Sequence, residues 1–275
     1  MSNGTRNLAL FCDFENIALG VRDARYARFD IEEVLERLLV KGNIVVKKAY
    51  CDWERYKGFK VDMHEASFEL IEIPHRRQSG KNSADIRMVV DALDLSYTKE
   101  HVDTFIIISG DSDFSPLVSK LRENNKLVIG VGVKQSTSDL LIANCDEFIY
   151  YEDIVRKTGR RKPEKKSPST RKTNGESAAN GAKVKADKAE ERALSAFRHV
   201  LETLDDLVSE RGDESQIWGS MVKQALKRRK PSFSESYHGF KSFGQLLEEM
   251  EKRKLLQMQH DEKSGGYIIT SHESD

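Results

Sequence analysis

Residues 104–114 read TFIIISGDSDF, a run of five strand-forming residues that stops at a serine and a glycine and is followed at once by two aspartates. A strand with one wet face alternates apolar and polar residues. An unbroken apolar run such as Thr104 to Ile108 belongs to a strand covered on both faces, as in parallel sheets flanked by helices. Working outward, the same signature gives strands at 7–12, 43–50, 69–73, 127–133 and 147–151, with helical spacing between them at 31–39, 53–67, 85–97, 116–124 and 139–143. Strands that alternate with helices are joined by crossovers. The expected fold class is therefore α/β, with a mostly parallel Rossmann-like sheet and helices on both faces. In such sheets ligands bind beyond the carboxyl ends of the strands.

The pattern changes downstream. Leu194, Phe197, Val200, Leu201, Leu204 and Val208 form one helical stripe, 215–228 and 242–254 read as two more helices, and 255–259 with 267–270 flank a polar, glycine-containing turn. Three helices and a hairpin predict a winged helix-turn-helix. The expected domains are 1–155, a disordered basic linker at 156–188, and 189–275. The linker reading rests on RKTGRRKPEKKSPSTRK and its continuation, which lack apolar periodicity and carry like charges beside Pro, Gly and Ser.

The chain has 275 residues, 38% of them hydrophobic, and its 45 basic and 45 acidic residues cancel. That cancellation hides an uneven distribution. Residues 1–155 hold 20 basic and 26 acidic residues, 156–188 hold 12 and 3, and 189–275 hold 13 and 16. The linker reads either as a solvated tether or as a non-specific attractor of phosphates. No window approaches the roughly 18 apolar residues of a membrane span. Cys12, Cys51 and Cys145 are odd in number and lack metal-ligand spacing, so neither a disulfide framework nor a zinc site is expected, and a reducing cytoplasm fits best.

Carboxylates recur where strands end or helices begin: Asp13 and Glu15, with the amide of Asn16 beside them, in CDFEN, Asp85 in KNSADIRMVV, and Asp111 and Asp113 in SGDSDF. Taken singly, Asp13 and Asp111 read as turn caps, Asp85 as the N-cap of its helix and Asp113 as the cap of the helix opening at Pro116. Taken together they converge on one rim of the sheet. Carboxylates gathered there repel unless a proton or a cation intervenes, and hard oxygen donors select Mg²⁺ or Mn²⁺. Asp91 reads as structural. Other chemistries fit poorly: the sequence holds no phosphate-binding loop of the GxxxxGK type, no GxSxG elbow and no HExxH, and GVGV at 130–133 lacks the third glycine of a dinucleotide fingerprint.

With DFEN at 13–16, K-x-x-x-D at 81–85, SGDSDF at 109–114 and S-x-x-L followed by CDEFIYYEDI between Ser138 and Ile154, residues 7–155 resemble the LabA-like NYN domains of the PIN-like nuclease superfamily. The resemblance implies a PIN-like fold and an acidic pocket of Asp13, Asp85, Asp111 and Asp113 that holds Mg²⁺ or Mn²⁺, with Asn16 and Ser109 as supporting polar groups. Residues 190–272 are similar to the OST-HTH, or LOTUS, domain through Gln216 to Lys223, FKSFGQLLEEM at 240–250 and the hairpin ending in GGYIIT. That resemblance implies RNA binding or protein docking. The expected function is metal-dependent hydrolysis of RNA phosphodiesters; the rival is a non-catalytic RNA-binding adaptor. Arg76, Arg77 and Lys81 are the candidate phosphate contacts near the site, with KRRK at 227–230 a further source of charge. No membrane partner is expected, and the sequence leaves a homodimer open.

Overall fold

In the computed structural model, which describes residues 5–73, 83–158, 177–211, 216–261 and 266–272, the chain divides into two compact units, Met1–Lys162 and Pro163–Asp275. The first is built on β1 (Asn7–Asp13), β2 (Asn43–Cys51), β3 (Glu69–Glu72), β4 (Thr104–Ile108), β5 (Leu127–Gly132) and β6 (Glu147–Tyr150). Every pairing is parallel and the strand order is β3-β2-β1-β4-β5-β6. β1 and β4 lie side by side, with Cys12 opposite Ile108. The connections after them leave in opposite directions across the sheet, which opens a crevice at their carboxyl ends.

The apolar runs are buried on both faces, and the side chains divide by parity. Leu8, Leu10 and Cys12 of β1 join Ile106 and Ile108 of β4 in one core, whereas Ala9 and Phe11 join Phe105 and Ile107 in the other. The first core is closed by α1 (Phe14–Asp23), α2 (Ile31–Leu39), α3 (Lys60–Glu65) and α7 (Tyr151–Thr158) through Phe14, Ile17, Val34, Leu38, Met63 and Ile154. The second is closed by α4 (Ser83–Thr98), α5 (Ser115–Glu123) and α6 (Asp139–Asn144) through Met88, Ala92, Leu117, Val118 and Leu141. Phe11 stacks on Phe105 with ring centroids 6.0 Å apart.

Several boundaries differ from the sequence reading. α1 lies in a stretch to which the sequence reading assigned no element: Asp13 ends β1 and its carboxylate accepts the backbone N–H of Asn16, so the helix starts without a linker. The helix expected over 53–67 is a 3-10 turn at Lys57–Phe59 followed by the short α3, since Gly58 lowers helix propensity at its centre. α7 extends the first unit past the expected last strand.

The second unit contains α8 (Ser177–Arg211), β7 (Ile217–Trp218), α9 (Gly219–Arg229), α10 (Phe243–Lys252), β8 (Leu256–Asp261) and β9 (Gly266–His272). Its antiparallel sheet has the order β7-β9-β8. Ile217 and Trp218, expected within a helix, pair with Ile269 and Ile268 instead. Phe197, Val200, Leu204, Val222, Leu226, Phe243 and Leu247 form its core. The helical backbone of α8 begins at Ser177, within the stretch expected to be linker, where alanines recur and favour helix propagation. The rest of the basic tract, 159–176, lies outside the described residues. Among the described residues no helix is long and apolar enough to cross a membrane.

At Gly130 in β5 an added Cβ would lie 2.3 Å from two ring carbons of Phe148, and both strands are hemmed in by helices. Gly130→Ala is therefore expected to cost about 1–3 kcal/mol by overpacking, read in urea as a lower midpoint with an unchanged slope; a midpoint equal to that of the parent would contradict this packing.

Candidate active site

The crevice between β1 and β4 is bounded by the start of α1 and the loop after β4, which are tied to each other. Ser109 Oγ donates to Asp13 Oδ2 at 3.0 Å and accepts the backbone N–H of Asp111 at 3.2 Å. Gly110 N–H donates to Asn16 Oδ1 at 2.9 Å. The Ser109–Asp13 and Gly110–Asn16 bonds therefore hold the end of β1 against the end of β4. The loop after β5 closes behind them: Ser138 N–H donates to Gly110 O at 2.9 Å, and Ser138 caps α6 through Leu140 N–H. A Cβ on Gly110 would sit 2.6 Å from the carbonyl oxygen of Ser136, so the approach needs a glycine.

Asp13 is 8% exposed. Burial, then the charge of Asp85 and to a lesser extent that of Asp111, pushes its carboxyl up to about 7, against the opposing bonds from Ser109 and Asn16. Asp85 lies in the first turn of α4, two residues past its start at Ser83, and so is not the helix cap that its position in the sequence suggests. Burial and the charges of Asp111, Asp113 and Glu15 raise its carboxyl as well. Asp111 accepts the N–H of Asp113 at 3.0 Å and caps the 3-10 turn Ser112–Phe114; Asp113 is exposed and caps nothing. Asp85 and Asp111 thus act on Asp13, and Asp111 and Asp113 on Asp85. Asp13 and Asp111 each cap a helical turn while lying in this group.

Among the described residues no three His, Cys, Asp or Glu side chains form a closed ligand group for a metal ion. The donor chemistry nevertheless fits a hard divalent cation, because all four groups are carboxylates and two of them, Asp13 and Asp85, are driven towards protonation by burial and by neighbouring carboxylates. The thiols do not compete for such a role: Cys12, Cys51 and Cys145 are buried and unpaired with one another, and burial raises all three.

Arg76, Arg77 and Lys81 fall in 74–82, outside the described residues. A cation the sequence reading missed is Arg55, whose guanidinium bonds Glu15 at 2.9 Å; the two residues are far apart in sequence and no local signal joins them. Asp91 is structural, as expected. It accepts from the Tyr50 hydroxyl at 2.9 Å and pairs with Arg87 and Lys48. In the second unit the KRRK stretch is largely engaged internally: Arg229 pairs with Asp206, and Lys230 lies 3.0 Å from His199 Nδ1.

A doubly wound parallel sheet with carboxylates at its switch point defines a Rossmann-like α/β domain. Residues 7–152 match the NYN domain, and the chain belongs to that family, a branch of the PIN-like nuclease superfamily. It is 28% identical over 156 residues to an uncharacterised protein of Methanocaldococcus jannaschii, and the match takes in 53% of this chain and 58% of that protein, less than two thirds of its length. It is also similar to the crystal structure of a protein of unknown function from Vibrio parahaemolyticus, with 28% identity and a TM-score of 0.50 over 56% of this chain and 98% of that one.

The proton on Asp13 gives a pH test. The folded chain holds it up to about pH 7, whereas an unfolded chain releases it near an ordinary aspartate value of about 3.9. Between those values the folded state binds more protons, so the contribution of Asp13 to stability is present at low pH and lost as pH rises to about 7. In chelator, Asp13→Asn is expected to gain stability relative to the parent from pH 4 to 7 and to melt a few degrees higher at pH 8; melting curves whose difference does not vary with pH would contradict this.

Proposed function

We propose that the chain is a metal-dependent ribonuclease in which Asp13, Asp85, Asp111 and Asp113 form the hydrolytic site. The observation that carries this reading is that hydrogen bonds hold carboxylates together at one rim, where burial and Asp85 raise the carboxyl of Asp13, and burial, Asp111, Asp113 and Glu15 raise that of Asp85. A fold that holds such a cluster together by hydrogen bonds has a use for the unrelieved charge. Mg²⁺ or Mn²⁺, when bound, supplies Lewis acidity and an activated water.

The roles of the chain's own groups follow from their positions. Asp13, Asp85, Asp111 and Asp113 supply carboxylate oxygens for the cation. Ser109 holds Asp13 in one orientation, and Asn16 fixes the Gly110 peptide so that Asp111 stays on the same rim. Arg55, released from Glu15, and Arg76, Arg77 and Lys81 are phosphate contacts that offset the acidity of the domain. RNA is the substrate class that the PIN-like family supports.

The second unit is read as an OST-HTH-like winged helix. The order β7-β9-β8 beside three helices supports this, as does the burial of Phe197 and Phe243 in its core, which leaves the half-buried Trp218, Tyr237 and Tyr267 as the aromatics nearest solvent. Its role is to bind RNA or a protein partner, and the basic tract 156–188 adds electrostatic capture of polyanions. The non-catalytic adaptor is the competing reading, and its distinguishing result is salt-sensitive RNA binding without Mn²⁺-dependent cleavage.

The full chain is expected to cleave single-stranded RNA with Mn²⁺ and not with chelator. Asp13→Asn and Asp111→Asn should each lower the rate by more than the 10–100-fold typical of losing an outer partner of a metal ligand, with circular dichroism unchanged. Equal cleavage by both purified variants would refute the assignment of the site.

A further inference from the structure

Beside the carboxylates, an open cleft of about 720 Å³ runs between α4, α5 and α6. That is within the range of small-molecule sites, about 300–1,000 Å³. Its walls are aliphatic: Ile86 and Val90 from α4 and Leu140 from α6, exposed by 63%, 55% and 57%. Its far edge is acidic, since Asp85 and Asp113 also line it. Ser115 belongs to the same lining and is 94% buried, and its hydroxyl is, among the described residues, the buried side-chain oxygen with no hydrogen-bond partner.

These features have a common explanation. Native chains keep few buried hydroxyls without partners, because each loses its water and gains nothing in return. Large aliphatic side chains exposed in a concave surface are equally costly unless something covers them. A ligand that satisfies both has flat apolar faces and a polar edge, and one that also belongs beside the carboxylates carries a phosphodiester. We propose that this cleft is a nucleobase subsite, which receives one unpaired base of the strand whose backbone lies at Asp85 and Asp113. The proposal rests on the nuclease reading for the placement of the backbone.

The geometry also fixes what is recognised. A base covered on its faces by Ile86, Val90 and Leu140 has left its stack, so the substrate is single-stranded at that nucleotide. A serine hydroxyl donates or accepts by rotating, so Ser115 bonds the edge of any base. The subsite therefore demands a base and discriminates weakly among the four.

The test uses the full chain and a 12-nucleotide single-stranded RNA in which one abasic nucleotide is walked along the sequence. With Mn²⁺, an abasic residue at one fixed offset from a cut should slow that cut about tenfold, the scale of stacking a base on a side chain. Val90→Ser and Leu140→Ser, both at exposed positions, should bring that ratio close to one while the melting temperature holds; duplex RNA should be cut poorly by all. In chelator, anisotropy should show the same preference as a weaker affinity for the abasic strand. Cleavage that is indifferent to the abasic position, or a ratio that survives both substitutions, overturns the subsite and leaves the nuclease intact. No cleavage, but base-dependent binding lost in Val90→Ser, keeps the subsite and removes the nuclease. Equal binding of intact and abasic strands without cleavage overturns both and leaves the cleft to an apolar peptide.

Discussion

Two hydrogen bonds, from Ser109 Oγ to Asp13 Oδ2 and from Gly110 N–H to Asn16 Oδ1, fasten the end of β1 to the end of β4. Every other feature of the site depends on them. The sheet brings the two strands side by side, but strands alone would let the loops swing apart to relieve the repulsion among their carboxylates. The bonds prevent that, and the residual conflict adds to burial in raising the carboxyls of Asp13 and Asp85. The fold thus holds an electrostatic strain that a proton or a cation would relieve, a departure from the arrangement that stability alone would favour.

The same economy governs the individual residues. Asp13 caps α1, ends β1 and offers a second oxygen to Ser109. Asp111 caps a single 3-10 turn and faces Asp13 and Asp85. Helix capping needs a carboxylate at a fixed place and orientation, and so does catalysis; a strand that runs directly into a helix supplies both. Gly110 completes the arrangement, because a side chain there would push the loop after β5 away from the rim.

Much of this was legible in the sequence. The apolar runs at 7–12 and 104–108 gave the central strands because both faces are buried, so no alternation had to be inferred. Asp13, Asp111 and Asp113 were legible because they come just after those runs, and Asp85 because it stands at the start of an amphipathic helix. α1 was not, since Asp13 reads as a turn cap even though Phe14, Ile17 and Val21 carry the buried face of a helix. β7 was hidden for a different reason: its two residues are a strand only through their pairing with β9, some fifty residues away. The Arg55–Glu15 pair and the cleft around Ser115 arise from elements that meet only in the folded chain, and no local pattern announces them.

The proposed site requires the carboxylates at the β1–β4 switch point to hold one cation together, and calorimetric titration of Mn²⁺ into the full chain at pH 6 and pH 8 measures this. The expected result is saturable binding that is tighter at pH 8, with proton release at pH 6 that disappears in Asp13→Asn. Binding of equal strength in the parent and in Asp13→Asn, or no binding at pH 8, would contradict it.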